Sequence, residues 1–137
     1  MTNPENFDWV TARNSCSMDK AFATLKTRVK DDIEVRNKLL ADNLDWEFQM
    51  SDNGSSFAVI TMTKSGSSGK TVTFQNSKGL LTVNGPDGKM KLKAALTLNS
   101  EGECRFCVDG NECDDWYIRK MALEDCKRSV VAVSTLF

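Results

Sequence analysis

Four cysteines in the last third of the chain have a spacing that resembles that of a metal site: Cys104, Cys107, Cys113 and Cys126. Four thiolates can hold a tetrahedral zinc ion, and a Cys-x-x-Cys pair is the usual half of such a site. Cys104 and Cys107, however, lie in a predicted strand, where residues three apart point to opposite faces. No second Cys-x-x-Cys pair follows, and no thioredoxin-like strand-to-helix context supports a redox pair. We therefore expect buried or half-buried free thiols, with no bound metal or cofactor.

Residues 65–71, with the sequence SGSSGKT, resemble the end of a phosphate-binding P-loop. The motif has a further glycine five positions before Gly69, where this chain has Lys64. A P-loop must also open a helix, whose N-terminus helps to bind the phosphates. Residues 71–74 have a strand pattern instead, so this segment is predicted to be a hairpin loop.

Residues 109–115 are rich in side-chain oxygen atoms, which are the ligands that calcium prefers. They lack the spacing of an EF-hand and its closing glutamate. A loop between a strand and a helix explains them as well, because acidic residues stabilise a helix N-terminus. We expect no calcium site here.

Histidine is absent from the 137 residues, which excludes serine and cysteine catalysis that uses an imidazole base. Carboxylate chemistry remains open, with Glu47, Glu103 and Asp109 as candidates, but no pattern places two of them around one pocket. An enzyme is therefore the least favoured function. The 18 basic and 19 acidic residues are balanced, which argues against a general nucleic-acid binder.

The sequence contains no apolar run long enough to span a membrane and begins without the pattern of a signal peptide. Five cysteines, an odd number, are then most simply read as reduced thiols. We expect a cytoplasmic protein.

The hydrophobic periodicity predicts one α+β domain over residues 1–137. Apolar residues at helical spacing predict a long helix over 17–41 and a second over 115–132, between an irregular arm (1–16) and an apolar tail (130–137). Alternating residues between them predict about six antiparallel strands, near residues 46–50, 57–63, 71–75, 80–83, 89–98 and 103–108. The expected fold is a two-layer sandwich, a meander sheet with one face covered by both helices.

The strand at 89–98 shows the clearest alternation, with Leu92 and Leu96 on its apolar side. Matching its faces to the next strand pairs Leu96 with Phe106 across a short loop that contains Gly102. The opposite side forms an exposed basic face, for which we expect a solvated surface in preference to a site for an anionic partner or nucleic acid. This face comprises Lys89, Lys91, Lys93 and Arg105.

The strand at 57–63 is apolar on both sides, and the face away from the core carries Ala58, Ile60 and Met62. Such a strand needs a cover on its second face. The leading hypothesis is therefore a non-enzymatic binding or interaction module that binds an unknown protein or forms a homodimer through these three residues.

A long helix over a curved sheet can also enclose a cavity for a small apolar ligand. Helix-grip proteins often hold such molecules, although the first strand that precedes their helices is missing here. This analogy gives the alternative function, a carrier whose cavity walls would include Phe22, Val29, Leu92, Leu96 and Phe106.

Overall fold

The computed structural model describes residues 8–40, 46–63 and 68–128. Its helices are α1 (Trp9–Ser15), α2 (Met18–Leu40) and α3 (Asp115–Arg128). Seven strands lie between α2 and α3: β1 (Trp46–Asp52), β2 (Ser56–Thr63), β3 (Ser68–Ser77), β4 (Leu80–Asn84), β5 (Met90–Leu98), β6 (Cys104–Val108) and β7 (Asn111–Cys113). They form one antiparallel sheet in the order of the sequence. The predicted α+β meander is confirmed, with β7 and α1 as additions; the expected apolar tail, 130–137, lies outside the described residues.

The β5–β6 hairpin has the predicted register. Leu96 pairs with Phe106 and Leu98 pairs with Cys104. Gly102 closes the loop with φ +79°, a left-handed conformation that glycine adopts without steric cost. The periodicity of the two strands and one glycine were therefore sufficient to fix this pairing.

The turn between β1 and β2 is centred one residue later than a turn on Asn53 and Gly54 would be. Asp52 pairs with Phe57, and the Asn53 amide donates to the Ser56 carbonyl at 2.8 Å, so Gly54 and Ser55 are the central residues. The pairing moves by two residues, a full side-chain period, which leaves every side chain on its expected face. Phe57 and Val59 thus face the helices, as predicted.

One face of the sheet packs against the two long helices and forms the hydrophobic core. The apolar stripe of α2 contributes Met18, Phe22, Leu25, Val29 and Ile33, and α3 contributes Ile118, Ala122 and Leu123. At the centre, the rings of Phe57 and Phe74 are stacked with their centroids 4.5 Å apart. Two tryptophans lie outside this core at the surface, Trp9 with 39% and Trp116 with 57% exposure.

The start of α1 is fixed by its N-cap, in a segment that was expected to be irregular. Asp8 accepts hydrogen bonds from the backbone amide of Thr11 at 3.0 Å and from its hydroxyl at 2.6 Å. These bonds lower the pKa of Asp8, the side-chain bond being the larger cause. None of the residues of α1 is buried, so its own side chains hold it only weakly against the body.

Cys16, between α1 and α2, forms a disulfide with Cys104 at the start of β6. The expectation that Cys104 is a free thiol is therefore wrong. The sequence pattern indicated no partner for Cys16, because the two cysteines are 88 positions apart and the whole of α2 and β1–β5 lies between them. The disulfide attaches the α1–α2 junction to the sheet.

Charged side chains join α2 to α3 beside the core. Asp115 pairs with Arg28 and, at 3.4 Å, with Arg119, while Arg119 Nη1 donates to both carboxylate oxygens of Asp32 at 2.8 and 2.7 Å. Because Arg119 and Asp115 are mostly buried, water screens these pairs less than exposed ones. The network sets the position of α3 along α2. No helix in the described ranges has the length and apolar character needed to cross a membrane.

Candidate interaction surface and cleft

The uncovered face of the sheet, by which we mean the face opposite α2 and α3, carries the apolar residues predicted for β2. Ala58, Ile60 and Met62 alternate along this strand with buried residues that face the helices. All three are half-buried. The structure therefore brings the three interface candidates together on one surface.

Neighbouring strands surround these residues with methyl and hydroxyl groups. Ile60 lies between Gln49 on β1 and Thr71 on β3, and Ala58 lies between Ser51 and Thr73. Farther across the sheet, the half-buried side chains of Leu80, Thr82 and Ala95 continue the same face. The centre of the uncovered face is thus uncharged.

Charged side chains of opposite sign lie on opposite sides of this centre. Glu47 is exposed on the edge strand β1 and accepts a hydrogen bond from Gln49 Nε2 at 3.1 Å. Lys93 is exposed on β5, where it pairs with Thr82. An uncharged centre with separated charges at its margin is the usual organisation of a protein interface.

The four residues of the predicted basic face do not form one row. Val83 pairs with Leu92 but Asn84 pairs with Met90, so Lys91 is an extra residue in a bulge. Its ammonium group donates to the carbonyl of Met121 on α3, the helix side of the sheet. Lys89 and Lys93 are exposed, whereas Arg105 is half-buried. The bulge also turns Met90 outward, where it is 57% exposed.

The second half of the P-loop-like segment, which was predicted to be a hairpin loop, belongs to a strand instead. Gly69, Lys70 and Thr71 belong to β3, where Gly69 and Lys70 form a bulge opposite Thr61. The buried hydroxyl of Thr61 accepts from the amide of Lys70 at 2.9 Å and donates to its carbonyl at 3.4 Å. A Cβ on Gly69 would collide with this hydroxyl, which explains the glycine as close packing against Thr61.

The thiols do not converge on a metal site in the part of the chain that the structure describes, where no three potential ligands form a cluster. Cys107 faces away from the helices opposite Glu112, whereas Cys113 is paired with Phe106 on the helix side. Burial, followed by the nearby Asp114, raises the pKa of the Cys113 thiol. The side chain of Cys126 lies outside the described residues.

An open cleft lies between the N-terminal half of α2 and the end of the sheet. Its volume is about 340 Å³. It forms because β7 is only three residues long and leaves the space between α2 and β6 open at this edge. No sequence pattern indicates this cleft, since its residues come from three separate segments: Ser15, Ser17, Lys20, Ala21, Thr24, Arg28, Cys104, Arg105, Phe106, Cys113, Asp114 and Asp115.

The candidate carboxylates do not share a site. Glu47 lies on β1 at one edge of the sheet, while Glu103 and Asp109 flank β6 near the other edge. Glu103 is exposed and accepts a hydrogen bond from Asn99 at 3.2 Å. Their arrangement gives no pair that could act on one substrate.

The candidate cavity residues lie in or against the packed core. Phe22, Val29, Leu92 and Phe106 are at most 7% exposed, and Leu96 packs against them. Phe106 also reaches the cleft described above. The carrier hypothesis gains no support from this packing and stays a prediction.

Comparison with known proteins gives no further guide to this site. The chain matches no protein-family model, no curated protein and no solved structure.

Proposed function

We propose that this protein is a non-enzymatic binding module that self-associates through the uncovered face of its sheet. The observation that carries the proposal is that β2 has apolar residues on both of its faces, with Val59 in the core and Ile60 on the opposite face. Antiparallel sheets commonly leave one face to water, and that face is then polar. Ala58, Ile60 and Met62 depart from that rule together, which favours a protein surface as their partner.

Charge complementarity favours a second copy of the same chain. Glu47 and Lys93 lie on opposite sides of the uncovered face, on strands four positions apart in the sheet. If two copies pack face to face, their two-fold axis lies in the plane of the interface. An axis that passes the middle of the face, close to Thr71 and Thr73, would bring Glu47 of each copy towards Lys93 of the other. Isologous contacts of this kind are the commonest route to a homodimer.

A charge at the centre of the face tests the proposal. Ile60→Asp should dissociate the dimer, because a carboxylate would be buried without a partner in the interface. The matched control is Val35→Asp on α2, since Val35 is also apolar, is 57% exposed and lies away from this face. Both variants should keep the circular dichroism spectrum of the parent protein.

Sedimentation velocity gives the decisive comparison. We expect the parent protein and Val35→Asp to sediment as dimers at a concentration where Ile60→Asp sediments as a monomer. Equal dissociation by both variants would place the contact elsewhere and contradict the proposed face.

A further inference from the structure

Two ion pairs show that α2 and α3 run side by side in the same direction. Arg28 pairs with Asp115, and Asp32 pairs with Arg119, which lies four residues later on each helix. Both pairs join residues that are 87 positions apart in the sequence. A residue in this part of α2 is therefore level with the residue of α3 that lies 87 positions later.

The side of α2 that carries these ion pairs continues with two apolar residues. Val35 and Leu39 follow Asp32 by three and seven positions, a spacing that keeps all three residues on one side of a helix. The neighbouring helix α3 leaves both apolar side chains largely uncovered, because Val35 is 57% and Leu39 is 58% exposed. Together they form an exposed apolar surface beside the contact of the two helices, which we term the α2 patch.

The apolar tail predicted from the sequence, residues 130–137, follows α3 directly. Six of its eight residues are apolar and none is charged. With the separation of 87 positions, Leu39 is level with residue 126, and α3 ends two residues later at Arg128. The chain therefore leaves α3 close to the α2 patch.

The tail is long enough to cover the whole patch. Val35 and Leu39 are about 6 Å apart along the axis of α2, whereas eight extended residues span about 26 Å. A segment joined to the end of α3 also has an effective concentration on the order of millimolar at the patch. Both considerations favour the tail of the same chain over a separate partner.

We propose that the apolar tail, residues 130–137, binds the α2 patch of its own chain. The contact removes the exposed parts of Val35 and Leu39 from water together with the valine, leucine and phenylalanine side chains of the tail. Because α2 covers the opposite face of the sheet from Ile60, the tail and the proposed dimer contact use different surfaces.

NMR of the full chain with labelled methyl groups tests this contact directly. Nuclear Overhauser effects should connect the methyl groups of Val35 and Leu39 to side chains of the tail. A mixture of labelled and unlabelled protein distinguishes contacts within one chain from contacts between two chains. Contacts that occur only between chains, or the absence of any contact between patch and tail, would overturn the proposal.

Thermolysin, which cleaves before apolar residues, measures how well the patch protects the tail. Mass spectrometry should show that the tail of the parent protein is cut more slowly than a free peptide with the sequence of residues 129–137. Leu39→Gln keeps a good helix former and should accelerate cleavage of the tail roughly fivefold, because the amide replaces an apolar contact of the docked tail.

Val10→Gln is the matched control, since Val10 is an exposed apolar residue on α1, and it should leave the cleavage rate of the tail unchanged. The proposal is wrong if the tail of the parent protein is cut as fast as the free peptide, or if Leu39→Gln and Val10→Gln have the same effect. The dimer proposal is independent of either result.

Discussion

The side-chain amide of Asn37 makes both backbone hydrogen bonds of Phe48. Asn37 Nδ2 donates to the Phe48 carbonyl at 2.9 Å, and Asn37 Oδ1 accepts from the Phe48 amide at 2.9 Å. Phe48 lies on β1, the edge strand of the sheet, and its side chain is in the core. Asn37 thus takes the place of a neighbouring strand at this edge, which protects it from pairing with another chain.

Asn37→Ala should destabilise the protein by about 1–2 kcal/mol, because it leaves two partly buried backbone groups of Phe48 without partners. Amide hydrogen exchange at Phe48 should accelerate, and chemical denaturation gives the loss of unfolding free energy. Lys38→Ala, at the next position and exposed, is the control and should change neither quantity. Unchanged exchange at Phe48 in Asn37→Ala would show that the two bonds are not formed in solution.

Gly69→Ala should destabilise the protein by about 1–3 kcal/mol through overpacking against Thr61. The same substitution should cost less in a Thr61→Ala background, since the hydroxyl that the new methyl group meets is then absent. A double-mutant cycle measured by thermal unfolding reports this coupling. Additive effects of the two substitutions would contradict the close approach.

The Cys16–Cys104 disulfide should make a large contribution to stability. Joining residues 88 positions apart removes chain entropy from the unfolded state, which is worth about 4.6 kcal/mol in the loop-entropy model. Cys16→Ser should lose up to this amount, measured by chemical denaturation without reductant, whereas Cys107→Ser should lose little.

Alkylation followed by peptide mass spectrometry checks the disulfide directly. In the folded, unreduced protein, Cys107 and Cys113 are free thiols and should become labelled once the chain is unfolded without reductant. Cys16 and Cys104 should appear as one cross-linked peptide. Labelling of Cys16 under these conditions would contradict the pairing.

Asp52 links the β1–β2 turn to α2 and should make stability depend on pH. It accepts from the Gly54 amide at 2.9 Å and from Lys26 Nζ at 2.9 Å. These bonds lower the pKa of Asp52, the Gly54 amide being the larger cause. A lowered folded-state pKa adds stability above the unfolded-state pKa, and this stability is lost as the pH falls through the folded value.

The difference in unfolding free energy between the parent protein and Asp52→Asn should therefore shrink as the solution is acidified. An NMR titration of the carboxyl group measures its pKa directly. Lys26→Gln should remove only part of the pKa shift, since the Gly54 amide remains. A complete return to the ordinary value in Lys26→Gln would show that the ion pair dominates instead.

The periodicity of the sequence was sufficient to predict the architecture. The stripe from Met18 to Ile33 predicted α2 and its buried side, and the alternation of β5 and β6 predicted the pairing of Leu96 with Phe106. These features depend on which residues are apolar and how far apart they are. The type and spacing of apolar residues are local properties, so they can be read directly from the sequence.

The features that the sequence did not predict depend on contacts between distant segments. The partner of Cys16 is fixed by where the α1–α2 junction meets β6, which no local pattern encodes. Lys91 turns towards α3 because a bulge inserts one residue into β5. The cleft exists because β7 is short.

Sedimentation velocity of the unmodified protein over about 1–300 µM tests the central proposal most directly, since it needs no knowledge of a partner. The proposed interface predicts a concentration-dependent shift from monomer to dimer, and the same shift should be absent in Ile60→Asp. A parent protein that stays monomeric over the whole range would contradict self-association through the uncovered face.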